Sequence, residues 1–202
     1  MSEPYRVWAD PSVVAHFQAM DVPYHDQQIE VLLRLLPFDR DQAIRILDLG
    51  CGSGTLLDAL LRVFPDATGV GADFSPPMLD LARDRLSHAG ERAALTHVDF
   101  NEPACADAVA GDFDAVVSRS AIHHVSDERK RAVYAGCFSL LRQPGVFVNI
   151  EHVASHSPKG EALYDGLFVD TLFDAARRRG ESPNHATVAA AYQRRPDKAA
   201  IP

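Results

Sequence analysis

Ile46-Leu47-Asp48-Leu49-Gly50-Cys51-Gly52-Ser53-Gly54 is the stretch whose reading decides the fold. An apolar run with one acid reads as a short buried strand, and three glycines at alternate positions then end it. Glycine takes positive φ without steric cost and has no Cβ to hold a ligand off the backbone, so these nine residues describe a loop that wraps a cofactor. Leu56, Leu57, Leu60 and Leu61 follow at helical spacing, which predicts a helix over residues 55–63.

Outward from this unit the same pattern repeats. A strand over 68–72 ends at Asp73; Ser75 offers an N-cap, Pro76 a first-turn proline, and Met78, Leu79 and Leu81 an apolar face. A third strand over 94–98 runs into Asp99-Phe100-Asn101. A fourth over 113–118 and a fifth over 145–150 bracket a helix over 127–141, with Ala132, Val133, Cys137, Leu140 and Leu141 inward. Upstream, 11–36 reads as one or two helices with Ile29, Leu32, Leu33, Leu35 and Leu36 on one stripe; downstream, 159–178 and 186–194 read as helices. Strands alternating with helices imply right-handed crossovers and a parallel sheet covered on both faces. In such sheets ligands collect at the carboxyl ends of the strands, where Asp73, Asp99, Ser118 and Glu151 each close a mainly apolar run.

The glycine spacing is GxGxG. A dinucleotide fingerprint needs glycine at position 55, which is Thr, and Asp48 would repel a pyrophosphate while attracting a cation. S-adenosylmethionine, with its ammonium and sulfonium, suits that polarity. Asp48 to Gly54 resembles the first motif of the class I S-adenosylmethionine-dependent methyltransferases, and the likeness extends over about residues 40–153. The resemblance implies a Rossmann-like three-layer α/β sandwich with a mostly parallel sheet. It also implies a cofactor site made of Asp48, Gly50, Cys51, Gly52, Ser53 and Gly54 from the loop; Asp73, Phe74, Ser75 and Met78 after the second strand; Asp99, Phe100 and Asn101 after the third; and Ser118 and Arg119 at the fourth. Asp73, 19 residues beyond Gly54, is placed to accept from both ribose hydroxyls, and Asp99 resembles the family acid that meets the adenine amino group. Asp-Phe-Asn also fits a plain Asx turn, and Met78 also fits a core position.

His123 and His124 follow the fourth strand where the family passes over the methionine moiety, and they are the candidate catalytic residues. A histidine there can take the proton of an attacking hydroxyl or amine; the other reading is that the pair fixes the loop by hydrogen bonds. A metal centre would need a third ligand such as His152 or Glu151, and no metal is expected.

Twenty basic and 28 acidic residues give a formal charge of -8, which opposes nucleic acid and favours a small-molecule acceptor. Cys51, Cys105 and Cys137 are odd in number and widely spaced, fitting a reducing, cytoplasmic setting rather than a disulfide framework. No run of about 18 apolar residues suggests a membrane span. One methyltransferase domain over 1–202 is expected: a helical lid segment over 1–40 holding Tyr5, Trp8, Phe17 and Tyr24, a cofactor core over 41–153, and a helical acceptor-side lid over 154–202.

Beyond residue 153 the family's usual antiparallel strand pair has no counterpart in the pattern. That suggests a truncated version with an open fifth-strand edge and a homodimer through it. Two rival functions stay open: a non-catalytic S-adenosylmethionine-binding protein, and a nicotinamide-dependent oxidoreductase. Arg119 leaves room for transfer of a group other than methyl from a modified cofactor.

Overall fold

The computed structural model describes residues 4–20, 24–102, 109 and 111–194. Cys105 and the terminal Asp-Lys-Ala-Ala-Ile-Pro lie outside these. In chain order the elements are α1 (Pro11–Gln18), α2 (His25–Leu35), β1 (Arg45–Leu49), α3 (Thr55–Val63), β2 (Thr68–Asp73), α4 (Pro76–Leu86), β3 (Ala93–His97), β4 (Phe113–Arg119), α5 (Asp127–Leu140), β5 (Leu141–Ile150), α6 (Pro158–Arg178) and α7 (His185–Arg194). The five strands form one parallel sheet in the order β3-β2-β1-β4-β5. The chain turns back on itself between β1 and β4, so a crevice opens beyond their carboxyl ends.

Neighbouring residues in the central strands point to opposite layers, which is why these strands are apolar throughout. Ile46, Ala115 and Val117 pack with Leu32, Leu57, Leu60 and Leu86 under α2, α3 and α4. Leu47, Leu49 and Val116 pack with Val133, Cys137 and Leu140 of α5. This is the three-layer, Rossmann-like sandwich that the alternation of strands and helices predicts.

Local chemistry fixes several boundaries. Ser75 caps α4 through its side chain and Pro76 occupies the first turn; Ser126 does the same for α5 and Ser157 for α6. β3 starts one residue earlier than expected, and β5 starts at Leu141 through an irregular register against β4.

Some predicted core positions face solvent. Leu35 is 58% exposed and Leu81 is 37% exposed, and Ala132 is also outside, because the sheet covers a narrower stripe of each helix than the apolar pattern spans. Leu163 and Leu167 of α6 are exposed too, since that helix buries Val169, Ala175 and Ala176 instead. Among the described residues β5 is followed by helices alone and its outer edge has no strand partner.

Candidate active site

A cavity of about 1480 Å³ occupies the crevice at the strand ends. Its floor is the glycine loop. Gly50, Gly52 and Gly54 have φ of 77°, 51° and 76°, the left-handed region that glycine alone enters freely. A Cβ on Gly50 would stand 2.2 Å from Cβ of Ala121, whereas one on Gly52 would meet only Met78 Sδ at 3.9 Å. The loop is thus closed beneath Gly50 and open above Gly52. The amides of Gly50 and Cys51 donate to Ala72 O, and Arg85 Nε donates to Ser53 O, so the loop is anchored to β2 and α4.

Asp73, at the tip of β2, braces the same loop. Its Oδ2 accepts from Gly52 N at 2.8 Å and its Oδ1 from Ser75 N at 2.9 Å. Each oxygen keeps a lone pair, and the carboxylate lines the cavity. Burial raises its pKa, with the amides of Ser75, Gly52 and Phe74 opposing. Asp48, the acid of the loop motif, is 1% exposed, and its Oδ2 has no hydrogen-bond partner. Burial raises its carboxyl to about 7, Arg119 pulling it down and Asp73 pushing it up. The Cys51 thiol is pushed well up by burial and by the two acids, so it stays a thiol.

Asp99 is more committed than the sequence suggests. Its Oδ2 accepts from the Tyr5 hydroxyl at 2.9 Å, and its Oδ1 from the amide and side chain of Asn101, an Asx turn. Tyr5 belongs to a segment at 4–18 that lies across the groove. Its ring meets Phe74 edge-on at 5.0 Å, Trp8 O accepts from Ser75 Oγ, and Gln18 Nε2 donates to Ser53 Oγ at 3.3 Å. Phe100 and Met78 form apolar parts of the same wall.

After β4, Ser120 turns the chain with φ of 53°, and Ile122–His124 form a short 3-10 turn. Glu151, just past β5, holds that turn. Its Oε1 accepts from the amides of Ile122 (2.7 Å) and His123 (3.2 Å), and its Oε2 lies 2.5 Å from His123 Nδ1. An ionised carboxylate only accepts, so Nδ1 carries the proton and Nε2 keeps its lone pair. His124 is half-buried, its ring 4.0 Å from that of His123 and 5.8 Å from that of Trp8. Among the described residues no three His, Cys, Asp or Glu stand where they could hold a metal ion.

Most of the expected residues come together around this cavity. Three do not reach its wall. Gly54 starts α3 against Ala82, Ser75 is spent on the α4 cap and on Trp8 O, and Ser118, fully buried, ties β4 to β1 through Leu49 O at 2.7 Å. Glu151, Tyr5, Gln18, His25 and Gln28 enter the site from distant parts of the chain.

A family model described as "Methyltransferase domain" matches residues 46–145. Over 214 aligned positions the chain is 31% identical to the "Ubiquinone biosynthesis O-methyltransferase" of Roseobacter denitrificans, covering 86% of this chain and 83% of that protein. The chain belongs to the class I S-adenosylmethionine-dependent methyltransferases. Among solved structures, an O-methyltransferase family protein from Burkholderia thailandensis superposes with TM-score 0.57 at 21% identity, over 70% of this chain and 43% of that one. The pyocyanin biosynthetic protein PhzM superposes with TM-score 0.55 at 29% identity, over 68% of this chain and 40% of that one.

The methyltransferase uses S-adenosylmethionine and moves its methyl group to a heteroatom of a small-molecule acceptor, which decides against the oxidoreductase and the non-catalytic readings. The site itself fits that cofactor. A buried carboxylate oxygen without a donor suits a cationic ligand, and the space above Gly52 would be taken up by any side chain there. No helix among the described residues is long and apolar enough to cross a membrane.

Proposed function

We propose that the methyltransferase is an O-methyltransferase whose acceptor is a hydroxyl on a small molecule with an apolar or aromatic body, and that His123 takes the hydroxyl proton. The observation that carries this reading is the His123–Glu151 pair in the cavity wall. A neutral imidazole with its proton fixed on Nδ1 offers Nε2 as a base, and the carboxylate behind it stabilises the imidazolium that forms. A hydroxyl needs such help to attack, since its own proton leaves with difficulty at neutral pH. The names of the curated relatives support oxygen as the acceptor atom. Ile150, Leu167, Phe168 and Tyr164 line the cavity beyond the histidines, which supports an apolar acceptor body.

When bound, the cofactor supplies a methyl already activated by the sulfonium charge. The protein's own residues then bind, align and keep water out. In this reading Asp73 takes the ribose hydroxyls with the lone pairs left after Gly52 and Ser75, and Phe74, Met78 and Phe100 flank the adenine. Asp99 acts through Tyr5 and Asn101 as well as on the base, and His124 shapes the turn. A formal charge of -8 supports an enzyme working without nucleic acid, the three scattered cysteines support a cytoplasmic setting, and 1–202 is read as one domain with helical lids at 1–40 and 154–202.

The test is S-adenosylhomocysteine release with a panel of phenolic and aliphatic hydroxyl acceptors. His123→Ala should lower kcat/KM by about 10²-fold or more while calorimetry shows unchanged S-adenosylhomocysteine binding. A variant that keeps activity within about tenfold of the wild type would remove the base from the mechanism.

A further inference from the structure

Acids and bases are sorted along the cavity wall. Asp48, Asp73 and Asp99 line it towards the ends of β1, β2 and β3, on the cofactor side. Arg85 and Arg119 belong to that side too, the first donating to Ser53 O at 2.9 Å and the second lying within the field of Asp48. Past β5 the balance reverses. His152 and His156, in the loop after Glu151, and Arg178, in the last turn of α6, line the cavity and are exposed. Among the described residues their side chains have no hydrogen-bond or ion-pair partner. The acids on this side are taken. Glu151 serves His123 and the amides of Ile122 and His123, and Asp165 accepts from Tyr192 Oη at 2.7 Å and from Gln193 Nε2 at 3.1 Å.

Helical spacing puts Arg178 where it is. Tyr164, Phe168, Thr171, Ala175 and Arg178 recur every three or four residues, so they share one face of α6, and all five line the cavity. That face is mostly apolar or aromatic and ends on a guanidinium, roughly 21 Å along the helix from Tyr164. The neighbouring arginines have partners on other faces: Arg177 lies 6.0 Å from the Phe173 ring, and Arg179 Nε is 2.7 Å from Glu181. Only the cavity-facing member of the three meets no acid. The acids at the strand ends suit the cationic cofactor, so the molecule that reaches Arg178 is the acceptor. A single guanidinium fork matches one planar carboxylate, whereas a phosphate would bring further negative charge to a chain of formal charge -8.

We propose that the acceptor is a hydroxy acid with an apolar body, its hydroxyl placed at His123 and its carboxylate held by Arg178. The proposal rests on the acceptor reading given above and narrows it. Arg178 touches no reacting atom; it determines specificity.

The probes are para-hydroxyphenyl alkanoic acids lengthened one methylene at a time, each beside its primary amide, which keeps the shape and drops the charge. Methyl transfer is measured together with quenching of Trp8, the one tryptophan of the chain and a cavity residue, in protein loaded with S-adenosylhomocysteine. At the length that spans the groove, the wild type should prefer the acid about tenfold, in KM and Kd rather than in kcat. Arg178→Gln should remove this preference and leave the amide unaffected, and Arg178→Lys should keep part of it. Each ratio is taken within one protein, so a change in stability cancels.

Equal handling of acid and amide by the wild type at every length overturns the carboxylate and leaves the O-methyltransferase standing. Arg178→Gln with the wild-type ratio overturns the proposal as well. Acids bound in preference to their amides yet never methylated uphold Arg178 and bring down the hydroxyl reading instead. Acids neither bound nor methylated at any length overturn the proposal outright.

Discussion

Asp48 is buried and ionisable with no donor on one oxygen, and its carboxyl sits near pH 7 because burial disfavours the charge. The folded protein therefore holds this proton more tightly than the unfolded chain does. Its contribution to stability is fully present below pH ~4 and is lost as pH rises through about 7, on the order of a few kcal/mol. Asp48→Asn should flatten this dependence. Denaturant unfolding between pH 4 and 8 should show the variant gaining on the wild type as pH rises, while its affinity for S-adenosylmethionine falls. Parallel pH profiles for the two proteins would contradict the buried-charge account. Glu151 acts at the same scale. Glu151→Gln keeps an acceptor for the two amides but loses the charge facing His123, so kcat should fall about tenfold or more, with cofactor binding unchanged. Asp48 and the acids at the strand tips were legible because each closes a local apolar run. Glu151 was legible as a polar strand end and a conceivable third metal ligand but not as the partner of His123, because that role depends on contacts 28 and 29 residues away.

Elements follow the sequence closely wherever a boundary has a local chemical cause. The glycine loop, the Ser75-Pro76 start of α4 and the apolar run of β4 were all readable, since each depends on backbone conformation or capping within a few residues. Faces were less readable. Leu35, Leu81 and Ala132 match the apolar pattern, yet which part of a helix is covered depends on what packs there, and that is set by distant segments. The segment at 4–18 is the extreme case, with Tyr5 reaching Asp99 across 94 residues. The loop allows a sharp comparison of two glycines. Gly50→Ala meets Ala121 at 2.2 Å in a left-handed conformation and should cost about 2–4 kcal/mol of stability. Gly52→Ala meets almost nothing in the protein, so it should cost about 1–2 kcal/mol yet weaken S-adenosylhomocysteine binding, because its methyl stands in the cavity. Unfolding curves and calorimetry separate the two; normal binding by Gly52→Ala would mean the ligand does not rest on this loop.

At the scale of the whole molecule the outer edge of β5 stands out, since among the described residues no strand pairs with it. α2 and α5 pack on either side of β5, and both carry exposed apolar residues: Val31 and Leu35 on one, Tyr134 and Phe138 on the other. An unpaired strand between such flanks pairs readily with another chain. A dimer through this edge is expected, with a sedimentation coefficient that rises with concentration and returns to the monomer value in Leu35→Asp/Phe138→Asp. A single species at every concentration would leave the edge without that role. The groove has an opposite character, since the segment at 4–18 is buttoned to the tips of β2 and β3 and to the glycine loop by Tyr5, Trp8 and Gln18. Freeing this segment from the groove would break all three hydrogen bonds, which ties the seating of the start of the polypeptide to the glycine loop and the β2 and β3 tips.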